Sequence, residues 1–579
     1  MQLQYDLQLN TTASGTGYFS CCPVKETDFD KSLNHLRAHP NDEFMHRNAL
    51  KAIAEMDEGQ VMTLIKDGGE NDPLLLALVY EACLLHEKFA KLRECFDLSE
   101  AKKLSDHTPF PYIKSNFIDD QMLHYQWTEI FKENIFHHRP LPAPVHAKPA
   151  ELFEKENLSA IKKNSVHIRQ IHKKMLVKPV GEKRFAAPSP EETARHALDK
   201  LQKINIFADI EMRHIASLSP CALLRQWKLE ISVINGKHNY SLSGIQTGYG
   251  RGLSLNQARA SYLMEIVERC SSFAGFSSKG TLGYTKDYSL VHARYSELAH
   301  GKTKALDPNR LVLEAPYKDE PLYWIEGREQ RGHELKPILV PAQCVFLFCN
   351  LDEIALFSGL GSTGLASGNT GQEAKRAALL ETIERDGDGV TPYDPDRCFR
   401  IKSKDAQLAM LLADYRAKGI QMQFQDISPS FGIPCYKCFV IGPEGQIIKG
   451  TGAHLNSKQA VLSAMTETAY PYPYGPPSSP GPENLPTVYI EDLPDYSTGD
   501  ADQDLVLLET VLNANGFDPV YINLTRQDLG IPVVKAIVPG LELMADFDRF
   551  SRVNPRLYAN YLQLFRDSEK IKRSTFPNW

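Results

Sequence analysis

The sequence predicts a mixed α/β protein with a mainly α-helical N-terminal region. Three observations carry this reading. Apolar residues recur at three- and four-residue spacing through much of 41–96. Beyond residue 179, short apolar runs of strand character interleave with helical patterns. Within that second part, three segments share one helical template, so the domain is expected to reuse a strand/helix unit.

Taken in order, residues 1–30 read as irregular, because TTASGTGYFSCCPV is rich in turn formers. Over 41–96, Leu50, Ile53, Ala54, Met62, Leu64 and Ile65, then Leu74, Leu75, Leu78, Val79 and Cys83, define helices, broken by GGENDP at 68–73. The proline-rich HHRPLPAPVHAKP at 137–149 reads as a linker or extended strap. A helical segment follows over 150–174. The organisation is then a mainly helical region over 1–150, suited to docking a partner or leader segment, a helical linker over 151–178, and a larger domain over 179–579. In that domain 224–234, 336–348, 433–453 (with a Pro-Glu-Gly turn) and 530–540 read as strands.

Composition narrows the function. A length of 579 residues allows two or three domains with sizeable cores. A net charge of −7 offers no concentrated basic face for nucleic acid. The densest basic cluster, Lys162–Lys163 with Lys173–Lys174, reads as a solvated helix face. No apolar stretch reaches the ~18 residues that would cross a bilayer, and the best, 73–85, contains Glu81. The N-terminus has no basic segment followed by an apolar one, so no secretory signal is expected. Eleven scattered cysteines suit a reducing, cytoplasmic setting.

The three related segments are SLNQARASYLMEIVER (254–269), TGQEAKRAALLETIER (370–385) and NSKQAVLSAMTETAY (456–470). Ser254…Gln257, Thr370…Glu373 and Asn456…Gln459 are capping-box signatures that mark helix starts. TGYGRG, GLGSTGLASGN and GTGAH precede them. Glycine lets backbone N–H groups approach a ligand and a helix N-terminus favours an anion, so the three loops in register point to phosphate.

The carboxylates sharpen this. Ser261, Glu265, Glu268 and Arg269 share one face of the first helix, and Glu373, Glu381, Glu384 and Arg385 one stripe of the second. A single ExxER helix is ordinarily a solvated face with ion pairs. Two such helices facing one another would set four glutamates around one cavity, a situation that demands pairing or a metal. Mg2+, which takes oxygen ligands and bridges carboxylates to phosphates, suits them. Glu373 is either a fifth carboxylate or only the acceptor of its capping box. The arginines either pair with the glutamates or contact phosphate oxygens.

At SYLMEIVER (261–269) and GNTGQEAKRAALLETIER (368–385) the sequence resembles the YcaO superfamily, whose hallmark is an SxxxExxER helix followed by a GNTxxEAxxxALxExxER helix. The resemblance extends over roughly 188–541 and includes TRQDLGIP and VPGL. It implies a YcaO-type domain that binds ATP and Mg2+. By position, the binding residues would be Ser261, Glu265, Glu268, Arg269, Asn369, Glu373, Glu381, Glu384 and Arg385, with Glu265, Glu268, Glu373, Glu381 and Glu384 holding metal. Arg251 would contact phosphate and Thr193 would offer a hydroxyl to ATP; no residue is singled out as catalytic. The implied activity is ATP-dependent O-phosphorylation of a peptide or protein backbone amide, leading to a thioamide or, by cyclodehydration, an azoline. The implied partners are a peptide or protein substrate, a sulfur-donor or leader-binding protein, and a second copy in a homodimer. Ser463 and Tyr470 stand where the third helix of the family carries Arg and Gln, although Glu467 is retained. The chain ends STFPNW without a proline tail; its proline-rich stretch, PYPYGPPSSPGP, lies at 471–482. Those departures support a second reading, a non-catalytic ATP-binding accessory factor for sulfur insertion or methylthiolation of a ribosomal protein.

Cys435 and Cys438 fall in a strand with no second CxxC at zinc spacing, and read as structural. Cys21–Cys22, beside turn formers, reads as packing thiols or as an exposed sulfur carrier or redox sensor. His214 and His454 read as polar core or loop residues.

Overall fold

The computed structural model describes residues 3–11, 17–25, 27–69, 71–154, 158, 165–176, 188–301, 303–332, 334–543 and 546–575. The first 30 residues depart from expectation. Strands β1 (Leu3–Thr11) and β2 (Gly17–Pro23) pair antiparallel, and β1 runs parallel to a strand more than two hundred residues downstream. The reason lies in LQYDLQL, which alternates apolar and polar residues and so has one burial face: Tyr5 and Leu7 are buried. The turn formers that follow masked this period. Cys21 is buried within β2, and burial pushes its thiol well up, which removes the exposed sulfur-carrier reading for that residue.

The helices of 41–96 form as their spacing predicts. Asp28, Asp42, Asp57 and Asp72 cap α1 (Phe29–Ala38), α2 (Glu43–Ala54), α3 (Glu58–Gly68) and α4 (Pro73–Leu85), each accepting from first-turn backbone N–H groups. Helix α4 is apolar on most sides and buried accordingly. Of the strap expected over 137–149, His137 still belongs to helix Gln121–His137, and the rest carries one short 3-10 turn, Pro144–His146. Within the helix expected over 150–174, Leu158 is helical and a helix runs from Ile168 to Leu176, whereas residues 151–154 and 165–167 are not helical; residues 155–157 and 159–164 lie outside the described residues. Lys173 and Lys174 are exposed on it. Lys162, Lys163 and the expected domain start at 179 lie outside the described residues.

The first sheet has the order β2-β1-β5-β4-β6-β7, with β3 (Met212–Arg213) on β4 (Cys221–Ile234); β5 is Asn239–Gly252, β6 Gly275–Ser277 and β7 Gly280–Leu282. The second contains strands Leu365–Ser367, Val533–Ile537, Val520–Asn523, Leu322–Arg331, Glu334–Pro341 and Lys304–Ala305 in that order, with Val291–Ala293 alongside. The strand expected over 336–348 therefore stops at Pro341 and turns into a 3-10 segment. The third sheet has the order Ile447–Ala453, Cys435–Ile441, Met422–Asp426, Cys398–Lys402, Thr487–Tyr489.

The shared template folds as expected into three helices, Leu255–Ser272, Gly371–Val390 and Ser457–Glu467, called here the first, second and third repeat helices. The first lies on the β4–β5 hairpin and the third on the hairpin of 435–453. The second follows strand Leu365–Ser367, whose partner, Val533–Ile537, arrives from near the end of the chain. Helices α1–α4, β1, the first sheet and the first repeat helix share one apolar core. A separate aromatic cluster joins helix Gln121–His137 to helix Pro555–Thr575 through Trp127, Phe131, Tyr558 and Tyr561.

Candidate functional site

Two of the three glycine-rich segments before the repeat helices are strand ends rather than loops, and the other, GLGSTGLASGN, is loop around the short strand Leu365–Ser367. TGYGRG is the end of β5 and GTGA the end of strand Ile447–Ala453. Their alternate glycines face the helix that follows. A Cβ at Gly250 would stand 2.0 Å from the Ala258 carbonyl oxygen, and one at Gly452 would stand 2.3 Å from that of Ala460. The glycines let each helix press its backbone onto its own strand. That close approach is what delivers the downstream half of each helix, with its glutamates, to a common cleft.

In the first repeat helix, Glu265 accepts from the Tyr249 backbone N–H at 2.7 Å, and Arg269 Nε lies 3.7 Å from Glu265 and 3.8 Å from Glu268. In the second, Glu384 accepts from Thr451 Oγ1 at 2.7 Å and has Arg385 at 3.8 Å. Burial, with Glu381 and Glu265 close by, pushes the Glu268 carboxyl well up. Burial and Glu384 raise Glu381 to about 7 against the pull of Arg385 and Arg269. Glu467, from the third repeat helix, is raised to about 8 by burial and by Glu384, with Arg251 opposing. Glu265 is also raised, by burial. Burial is the largest cause of each shift, and for Glu268, Glu381 and Glu467 the neighbouring carboxylates add to it.

The cations are arranged around that charge. Arg251, near Glu265 and Glu467, has a buried Nε with no hydrogen-bond partner among the described residues. Lys535, buried in strand Val533–Ile537, donates to the Thr363 carbonyl at 2.7 Å; burial pulls its ammonium down to about 8 against Glu381 and Glu268. Lys535 was missed by sequence reasoning, although a lone lysine inside the apolar run IPVVKAIV was the available signal. Glu467 was noticed there but left out of the ligand set.

At the start of the second repeat helix, Thr370 caps the helix by accepting from the Glu373 backbone N–H at 3.1 Å. Glu373 reaches back to the Asn369 N–H at 2.9 Å, one residue before the cap, so it closes the turn rather than a strict capping box. Thr193, on helix Pro190–Lys203, donates to Asn369 Oδ1 at 3.1 Å, which joins two separately expected residues. Ser261 is exposed one turn before Glu265. Ser463 is half-buried, and the buried Tyr470 donates to the Pro476 carbonyl at 2.9 Å, so this tyrosine anchors the proline-rich stretch. Cys435 and Cys438 are fully buried, as structural cysteines are.

The donor set fits Mg2+. Among the described residues the glutamates do not close into a group of three with ligand oxygens all within 4.8 Å of one another. Mg2+ keeps several waters and is usually held by one or two carboxylates plus substrate phosphates, rather than by an all-protein cage. Spread carboxylates, with an unpartnered guanidinium nitrogen among them, suit that mode.

A family model described as YcaO cyclodehydratase, ATP- and Mg2+-binding, matches residues 249–475 and 471–542. An uncharacterised protein of Methanothermobacter thermautotrophicus is 28% identical over 406 residues, covering 63% of this chain and 97% of its own. Two solved structures are similar: a heterocyclase in complex with substrate and cofactor (20% identity, TM-score 0.46, 65% of this chain and 56% of that one), and YcaO from Methanopyrus kandleri bound with AMPPCP and Mg2+ (22% identity, TM-score 0.44, 62% and 94%). This chain thus spans little more than half of the heterocyclase. The fold is a mixed α/β arrangement with a repeated strand/helix unit, and the chain belongs to the YcaO family. ATP and Mg2+ are its cofactors. Among the described residues no helix is long and apolar enough to cross a membrane.

Proposed function

We propose that the cleft between the repeat helices binds ATP with Mg2+, and that the protein activates a backbone amide of a peptide or protein, yielding a thioamide or an azoline. The observation that carries this reading is the convergence of Glu265, Glu268, Glu381, Glu384 and Glu467 with Arg251, Arg269, Arg385 and Lys535, although they come from five separate elements. Bound ATP supplies the phosphoryl group that turns the amide oxygen into a leaving group once a nucleophile has attacked the carbonyl. The chain's own contribution is positioning and charge neutralisation. Glu265, Glu268, Glu381 and Glu384 offer oxygens to the metal, Arg251 and Lys535 face the phosphates, and Glu373 holds the loop that carries Asn369. Ser261, exposed one turn before Glu265, offers its hydroxyl to the nucleotide, whereas the Thr193 hydroxyl is given to Asn369 and orients that side chain. A partner protein would deliver the sulfur or the leader segment.

The departures at Ser463 and Tyr470 favour the alternative, an accessory factor that binds ATP without turnover. Arg251 and Lys535 weigh against it, because they leave the cleft with cations other than those the third helix lacks.

Calorimetry of ATP binding, with and without Mg2+, tests the reading on the unaltered chain and on Glu265→Gln/Glu381→Gln. Mg2+-dependent binding is expected in the former and at least a ~100-fold loss in the latter, about 2.7 kcal/mol. Equal binding by both would remove the nucleotide from this cleft. Nucleotide turnover driven by a peptide would separate the enzyme from the accessory factor.

A further inference from the structure

At the far end of the first sheet lies a second group of metal-binding side chains that the nucleotide cleft does not use. His35 sits on α1, Asp42 caps α2, and His238 closes the turn between β4 and β5. His35 Nε2 is 2.7 Å and His238 Nε2 3.3 Å from Asp42 Oδ2. These three donor atoms all lie within 4.8 Å of one another, and no other described residues form such a group. The His39 ring stands 4.9 Å from that of His35 and 5.1 Å from that of His238 and covers the pair from the side.

The surroundings are built as a ligand shell. Asp42 is fully buried and oriented on every side. Its Oδ1 accepts from the Phe44 and Met45 N–H groups and from Asn350, and its Oδ2 accepts from the Tyr5 hydroxyl at 2.5 Å. Such outer partners fix a ligating carboxylate. Two buried atoms beside the cluster, His39 Nδ1 and Asn350 Oδ1, have no hydrogen-bond partner among the described residues. Asp352, 3.7 Å from His39 Nδ1, is tied to Lys237 at 3.2 Å and so is engaged elsewhere. His238 is 2% exposed, whereas His35 and His39 are 22% and 27% exposed, which leaves a way in for an ion.

We propose that His35, Asp42 and His238, with water in the fourth position, form a Zn2+ site. Imidazole nitrogen with one carboxylate oxygen is a donor set that Zn2+ accepts in tetrahedral geometry, at ~2.0–2.2 Å per ligand. Tetrahedral ligands at that distance stand ~3.3–3.6 Å apart; the His238–Asp42 spacing of 3.3 Å matches, and the His35 ring, hydrogen-bonded to Asp42 at 2.7 Å, draws back by under an ångström as the ion enters. The site is separate from the nucleotide cleft. His238 precedes β5 and Tyr249 lies near its end, eleven residues on, so at ~3.3 Å per residue the two are about 35 Å apart. The ion joins three chain segments, α1, the start of α2 and the β4–β5 turn. Its work is to pin the N-terminal helices to the sheet.

The full-length chain, stripped with chelator and dialysed, is titrated with Co2+ as a spectroscopic probe and then with Zn2+. One Co2+ per chain with tetrahedral visible absorption, displaced by Zn2+, is expected. His35→Gln/His238→Gln should weaken binding more than ~100-fold, beyond the ~10–100-fold that losing an outer partner costs. Glu265→Gln/Glu381→Gln should bind Co2+ as the unaltered chain does. Zn2+ should also raise the Tm of the unaltered chain but not that of His35→Gln, a partly exposed position. An unaltered chain that binds no Co2+, or Co2+ that stays in the histidine variant and leaves with the glutamates, would overturn the site.

Discussion

At the scale of single residues, the cleft is a set of carboxyls held reluctant to ionise. Glu381 titrates about 7 and Glu467 about 8 in the folded chain, against ~4.3 when unfolded. The folded state therefore holds more protons between those values, and stability falls as pH rises through that window. Without nucleotide or Mg2+, the melting temperature should decline from pH 6 to 8.5. Glu381→Gln should remove part of that decline and stabilise the empty protein at pH 8 by on the order of 2 kcal/mol, while losing ATP affinity. A pH-independent melting curve for the unaltered chain would contradict this account. Mg2+ affinity should rise over the same interval, because the metal replaces protons. The glutamates of the first two repeat helices were legible in the sequence because they recur at a fixed place in a repeated template. Lys535 was not, because a single charge in a strand has no period to betray it, and its partners come from helices far away in sequence.

At the scale of elements, the repeat helices owe their positions to glycines that have no room for a side chain. Gly250→Ala should force the first repeat helix off β5, at about 1–3 kcal/mol, and weaken ATP binding although residue 250 contributes no side chain to the cleft. Thermal denaturation and calorimetry on one sample check both effects; loss of neither would refute the packing role. The template, its caps and its helix starts could be read directly, since capping is local. The role of the glycines could not, because a phosphate loop and a helix-bearing strand share the same composition, and only the tertiary approach distinguishes them. The short strand Leu365–Ser367 was likewise hidden: it exists only through its pairing with Val533–Ile537.

For the molecule as a whole, the ends of the chain are structural parts. Arg556, on helix Pro555–Thr575, pairs with the fully buried Asp386 of the second repeat helix, 2.6 Å from Nη1 to Oδ2. Arg556→Ala would strand that carboxylate, and an unfolding measurement should record a loss of about 3–5 kcal/mol. At the other end, Tyr5 and Leu7 are buried in the main core and the Tyr5 hydroxyl bonds Asp42, so the N-terminal strands are part of that core. Removing residues 1–23 should lower the melting temperature sharply and bare the edge of β5; an unchanged melt would show that the two strands are dispensable. This long-range role was invisible in sequence, because β1 finds its parallel partner across a separation that local pattern cannot bridge.

The pairing of β1 with β5 also sets an order of events at the ribosome. Leu3 and its partner Tyr240 are made 237 residues apart. At ~5–20 residues per second that is a wait of roughly 12–47 s. Throughout it the first strands and the helices behind them lack the β4–β5 hairpin they pack on, so the apolar face of β1 is covered only after the hairpin arrives.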